Sequence, residues 1–162
     1  MKVAVILGSL SDKQRAQKTF DMLDNFNIPY EARVISAHRS LEELIEYTAS
    51  FEEAGIEVCI ALAGMAAALP GVIAGSTTIP VIGVPLSSNG LGGVDALYST
   101  LQMPSGVPVA TVAIDGCANA AVLAAQILSL AHPELKQDLK AYKKQMNEKV
   151  HAQDLELKEG LK

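Results

Sequence analysis

Tryptophan is absent from this 162-residue chain, and tyrosine and phenylalanine together supply only 4% of it. Large flat side chains therefore cannot build the core. Ala, Val, Ile, Leu and Gly must do it, and hydrophobic residues make up 49% of the sequence. Small and branched side chains in that proportion suit thin, tightly packed α/β layers. There is no basic run, and the net charge is −5. Those features argue against a nucleic-acid-binding surface and leave room only for a local basic pocket. Cysteine is scarce: Cys59 and Cys117 fit neither a metal spacing nor a disulfide framework. They read as reduced packing thiols in a reducing cytosol. No long apolar run is present. Residues 3–7 fall far short of the roughly 20 residues that span a bilayer, and the opening residues carry no signal-peptide pattern. The expectation is a cytoplasmic protein with no membrane or nucleic-acid partner. Repeats, low-complexity tracts and linkers are also missing, so residues 1–162 read as one domain.

What is present is alternation. Five short apolar runs recur: "KVAVIL", "YEARVI", "IEVCIAL", "PVIGVP" and "PVATVAI". Most are β-branched and bounded by Gly, Pro or Ser, as strands are, and the last three read as buried on both faces. Helical periodicity fills the gaps. Ala16, Thr19, Phe20, Leu23 and Phe26 share a face, and Asn27 with Pro29 ends that helix. Ser40 followed by Glu43 has the pattern of a capping box, and Gly55 is placed to end the helix it opens. Strand–helix alternation of this kind predicts a five-stranded parallel sheet with helices on both faces. The expected fold is a flavodoxin-like three-layer αβα sandwich with strand order 2-1-3-4-5. Residues 119–132 are apolar nearly all round, which demands cover on every side. Leu135, Leu139, Tyr142, Met146 and Val150 then form an apolar stripe on a charged helix. Residues 133–162 are therefore expected to be an amphipathic helix packed on neighbouring subunits.

Ligands of parallel sheets bind beyond the carboxyl ends of the strands, so the loops there hold the candidate residues. The first is "GSLSD", residues 8–12. Gly8 permits a sharp turn, Ser9 and Ser11 offer hydroxyls, and the next helix offers free N–H groups. That suits a phosphate. Asp12 suits sugar hydroxyls, or helix capping. The spacing is not GxGxxG, and no Walker lysine follows. The second loop is "SAHRS", residues 36–40. Arg39 is placed to pair with the same phosphate. His38 beside it titrates near neutral pH and so can carry a proton both ways. His132 and His151 fall in the C-terminal helices and read as helix-end or surface residues. The third loop is "AGMAAALPG", residues 63–71, whose small residues admit a flat ligand close to backbone N–H groups. Close helix–sheet packing would call for the same residues. The fourth is "PLSSNGLGGVD", residues 85–95, a lid or an exposed loop.

"GSLSD", "IPYEARVISAHRS", "LPG", "IPVIGVP", "QMPSGVPVATVAI" and "NAAVLAAQIL" together resemble the PurE family of purine biosynthesis, from Met1 to about Leu130. The resemblance implies a homo-oligomer, usually an octamer, with sites where subunits meet. It implies N5-carboxyaminoimidazole ribonucleotide mutase activity, which moves a carboxylate from the exocyclic nitrogen to ring carbon C4 without metal or organic cofactor. By position, Ser9, Ser11 and Asp12 match the phosphate and ribose loop. Ser36 and Arg39 match phosphate partners, and His38 matches the proton carrier. Ala63, Gly64, Ala67 and Leu69 complete the expected substrate contacts. There are departures. The mutases usually read AGAGGAAHLPG where this chain has "ALAGMAAALPG", so Ala68 stands for a second histidine and Met65 for a glycine. Leu41 stands where proline is usual. Direct aminoimidazole ribonucleotide carboxylases typically carry a lysine where this chain has Arg39, which favours the mutase. A direct carboxylase and a nucleotide-binding paralogue with altered activity are the alternatives.

Overall fold

A computed structural model describes residues 1–161. Five strands, β1 (Val3–Leu7), β2 (Tyr30–Val34), β3 (Val58–Gly64), β4 (Val81–Leu86) and β5 (Ala110–Thr111), form one parallel sheet in the order β2-β1-β3-β4-β5. Register is continuous through its centre: Val5 lies beside Ala32 on one side and Ile60 on the other. Six α-helices cover the sheet: α1 (Lys13–Asn25), α2 (Leu41–Ala49), α3 (Leu69–Ser76), α4 (Val94–Leu101), α5 (Cys117–Leu128) and α6 (Leu135–Gly160). This is the αβα sandwich expected from the alternation.

Side-chain alternation along each strand divides the interior into two cores. Val3, Val5 and Leu7 of β1 face α1 and α5, together with Val58, Ile60 and Leu62 of β3. Ala4 and Ile6 face the opposite layer with Cys59 and Ala61, against Leu44 of α2, Leu69 and Ile73 of α3 and Ala96 of α4. The two cysteines are buried and lie in opposite cores, which is why they do not pair. Burial alone pushes the Cys59 thiol up, away from the reactive thiolate. Gly83 of β4 is fixed by close approach. A Cβ there would sit 2.3 Å from Thr100 Cγ2 and 2.8 Å from Val109 Cγ1, so α4 could not settle on the sheet.

Several local expectations are corrected. β5 is only two residues long and partly exposed, not buried on both faces. It is the sheet edge, and Pro108 just before it has no N–H to donate. β1, by contrast, is fully buried. Asn27 does end α1, with φ 51°, while the Ile28 N–H donates to Leu23 O at 3.0 Å. Ser40 stands at the N-cap of α2, as expected, but its side chain makes no cap bond. Its hydroxyl donates to Ser36 O and accepts from Ser36 N–H, both at 3.1 Å, so it closes the preceding loop instead. Glu43 turns outward to pair with Arg33. Gly55, at φ 68°, ends the irregular turn that follows α2, six residues beyond the helix proper.

The apolar helix α5 finds more cover inside its own chain than its sequence suggests. Ala120, Ala121, Ala124 and Ala125 are fully buried, because alanine lets α1 and the sheet come close. Thr19 Oγ1 donates to Cys117 O at 2.9 Å, which joins α1 to the start of α5. α6 divides in two. Leu135 is buried, and Leu139 and Tyr142 pack on the α1–α5 core, with the Tyr142 ring edge-on to Phe26 at 5.5 Å. Met146, Val150, Leu155 and Leu157 are exposed along the outer half. His132 joins the α5–α6 turn to the foot of β3, Nε2 lying 2.7 Å from Glu57 Oε2, and His151 is exposed. No helix among the described residues is long and apolar enough to cross a membrane.

Candidate active site

The carboxyl ends of β1, β2, β3 and β4 open into one cleft of about 560 Å³. All ten candidate catalytic and substrate-binding residues line it: Ser9, Ser11 and Asp12 after β1, Ser36, His38 and Arg39 after β2, and Ala63, Gly64, Ala67 and Leu69 at and after the end of β3. The parallel sheet produces this convergence. β1 lies between β2 and β3, so three consecutive strand ends deliver their loops side by side.

In the first loop Ser9 adopts extended backbone, and the chain tightens into a 3-10 turn over Leu10–Asp12. Ser11 Oγ donates to Ser9 Oγ at 2.9 Å, and the Ser11 N–H lies 3.3 Å from the same oxygen. The two hydroxyls are thereby gathered at the mouth of α1. Gly8 does not take a left-handed φ, and a Cβ there would meet nothing nearer than Leu62 O at 3.7 Å. The turn does not need glycine for its backbone; the missing side chain leaves the cleft floor open. Asp12 makes no side-chain cap bond to α1. It occupies the N-cap position, but its carboxylate is not spent on the helix N–H groups. Burial raises its carboxyl above the usual range, opposed by Arg15 and by the Ser9 N–H.

In the second loop the Arg39 Nε donates to Ser36 Oγ at 3.3 Å, which holds the guanidinium over the cleft. His38 is exposed beside it. Leu41 is the first residue of α2, a position open to many residues, and its substitution for proline leaves the helix intact.

The third loop carries backbone strain. Met65 sits at φ 57° and is 68% exposed. The Ala67 N–H bonds back to Met65 O at 2.9 Å and the Ala68 N–H to Ala66 O at 2.7 Å, so the chain coils tightly along the cleft wall. Ala68 stands at the start of α3 without a side-chain cap. A left-handed methionine costs about 1–2 kcal/mol, partly balanced by the extra unfolded-state freedom of glycine. Met65→Gly should therefore stabilise the protein by about 1 kcal/mol, read as a melting temperature higher by about 2–4 °C.

Sequence reasoning missed two parts of the wall. Arg15 lines the cleft, one helical turn beyond Asp12; that i,i+3 spacing was the available signal. Residues 87–89 line it too, from the loop that read equally well as lid or exposed turn.

The cleft thus brings together hydroxyls, a guanidinium, a carboxylate and an imidazole, groups chemically able to bind an anion and to move a proton. The Ser9 and Ser11 hydroxyls, the start of α1 and Arg39 line the same cleft, together with Asp12 and His38. Comparison with known proteins gives this a lineage. A family profile described as AIR carboxylase matches residues 2–149. The chain belongs to the AIR carboxylase family. Within the family, N5-carboxyaminoimidazole ribonucleotide mutases from Pyrococcus abyssi and Pseudomonas aeruginosa are similar to it. The first is 54% identical over 145 residues, covering 90% of this chain and 83% of that one. The second is 50% identical over 150 residues, covering 91% and 92%. A crystal structure of Treponema denticola PurE superposes with TM-score 0.89 at 34% identity, over 97% of this chain and 98% of that chain. The glycine that the resemblance implies at position 65 would suit the positive φ that the loop imposes there.

Proposed function

We propose that the protein is an N5-carboxyaminoimidazole ribonucleotide mutase, which converts N5-carboxyaminoimidazole ribonucleotide to 4-carboxyaminoimidazole ribonucleotide. The observation that carries this is the convergence of Ser9, Ser11, Asp12, Ser36, His38 and Arg39 on one cleft. The substrate phosphate lies on Ser9, Ser11 and Arg39, at the positive end of α1. Ser36 holds Arg39 in place, and Asp12 accepts the ribose hydroxyls. The aminoimidazole rests on the small-residue wall of Ala63, Gly64, Ala67 and Leu69. The N–C bond then breaks, CO2 is released into the cleft, and the nitrogen takes a proton from the His38 imidazolium. C4 adds to the trapped CO2. Neutral His38 removes the C4 proton and returns to its starting state. The nitrogen has gained the proton that carbon lost, so no cofactor is required. Incubation with 4-carboxyaminoimidazole ribonucleotide should yield the N5-carboxy isomer. Binding without any conversion would count against the mutase and favour the altered paralogue.

The same reading extends to a homo-oligomer, an octamer by resemblance. Val94, Tyr98 and Leu101 form an exposed stripe at helical spacing on α4, with exposed Leu91 just before it. The outer half of α6 exposes another. Patches of this kind fit burial against further copies. Light scattering at micromolar concentration should report a multimer, and a monomeric mass would contradict it.

A further inference from the structure

We propose that Arg15 is a positioning residue, tying Asp12 to the residue 87–89 wall of the cleft through Asp115. The inference rests on the mutase reading above for its substrate. Asp115 lies in the turn between β5 and α5, outside every loop that the sequence singled out. Its backbone is left-handed, φ 54°, a conformation aspartate tolerates better than most residues. Its N–H donates to Pro85 O at 2.9 Å, which locks it to the end of β4. Its Oδ1 accepts from the Ser87 N–H at 3.0 Å. The same oxygen lies 3.7 Å from Arg15 Nε, and Arg15 Nη1 lies 3.9 Å from Asp12 Oδ1. One guanidinium thus stands between two carboxylates, at the rim of a cleft built for an anion.

Both Arg15 contacts are longer than hydrogen bonds, and its side chain is 43% exposed. Partners so placed add little to stability. Their consequence falls on the ligand. Without Arg15, Asp12 and Asp115 repel each other and the incoming phosphate with no cation between them. The wall anchored by Ser87 loses its charge link to the floor. Burial raises the Asp12 carboxyl and Arg15 opposes that rise, so removing Arg15 extends protonation of Asp12 to higher pH. Asp115 is also pushed up by burial, yet Ser87, Arg15 and Lys18 outweigh that and hold it low. The other charged or titratable groups that line the cleft with Asp12 and Arg15 are His38 and Arg39.

Arg15→Met tests the link, with Arg15→Lys as the conservative variant, and with Asp115→Asn and Asp115→Gly. Asp115→Asn keeps the acceptor for Ser87 but removes the charge. Asp115→Gly keeps the left-handed backbone and removes both. Arg15→Met should raise KM for the ribonucleotide by about 2- to 30-fold, with little change in kcat or melting temperature. The acid limb of kcat/KM should move to higher pH, and Arg15→Lys should restore most of the affinity. Asp115→Gly should reproduce the KM effect, and Asp115→Asn part of it. Unchanged KM in Arg15→Met, or a fall in kcat alone, would overturn the proposal. Calorimetric titration with 4-carboxyaminoimidazole ribonucleotide separates this from the parent reading. Wild type that binds but does not convert the ribonucleotide refutes the mutase, while the affinities still judge Arg15. Wild type that does not bind it refutes both.

Discussion

His38→Asn should lower turnover by about 100- to 10,000-fold, the usual cost of losing a general acid–base, with ribonucleotide affinity nearly unchanged. The reaction needs one group that gives a proton to nitrogen as CO2 leaves and takes one from carbon after CO2 returns. Imidazole, with an ordinary pKa of about 6.5, holds both forms near neutral pH. Among the described residues His38 is the one histidine on the cleft; His132 is engaged with Glu57 at the far end of the sheet, and His151 lies on the exposed half of α6. Asp12 is the one carboxylate lining the cleft among the described residues, and even with its carboxyl raised by burial it is better suited to accepting ribose hydroxyls. The proposed phosphate and ribose contacts lie on Ser9, Ser11, Asp12 and Arg39, which is why affinity survives. Asparagine keeps polarity and approximate size but cannot carry the proton. Steady-state turnover and calorimetric titration check the two halves separately, and wild-type turnover in His38→Asn would remove His38 from the mechanism.

Arg39→Leu should weaken ribonucleotide binding by about 1.5–3 kcal/mol, the value of a hydrogen bond to a charged group. Its guanidinium is held by Ser36 and lines the same cleft as the paired hydroxyls of Ser9 and Ser11. Leucine keeps the stem and removes every donor. Because the phosphate is remote from the reacting carbon, the effect should appear in KM more than in kcat. The loss should shrink at high ionic strength, where salt screens the wild-type attraction. Affinity equal to wild type would place the phosphate elsewhere.

The sheet was legible because its strands announce themselves. β1, β3 and β4 are continuous apolar runs between turn residues, and parallel alternation then fixes which loops meet. That order alone brings the first three loops of the cleft together. Contacts between distant loops were less legible. Ser40 and Glu43 have the spacing of a capping box, but the Ser36 backbone claims the Ser40 hydroxyl and Arg33 claims Glu43. Residues 87–89 join the wall because Asp115, 28 residues downstream, fixes the Ser87 amide. Arg15 was hidden because its partners come from two different loops. The cover of α5 was underestimated because alanine permits a closer approach of α1 than average side chains do. Met65 stood out only against the family pattern; its left-handed backbone is visible only in the fold.

The most direct test of the account follows the migrating carboxylate itself. N5-carboxyaminoimidazole ribonucleotide labelled isotopically at that carbon is incubated with the protein in unlabelled bicarbonate, and the product carboxylate is read by mass spectrometry. Trapping of CO2 in the cleft predicts labelled 4-carboxyaminoimidazole ribonucleotide, formed without ATP or added metal. Product carrying unlabelled carboxylate would contradict intramolecular transfer and identify a direct carboxylase; no product at all would contradict the mutase outright.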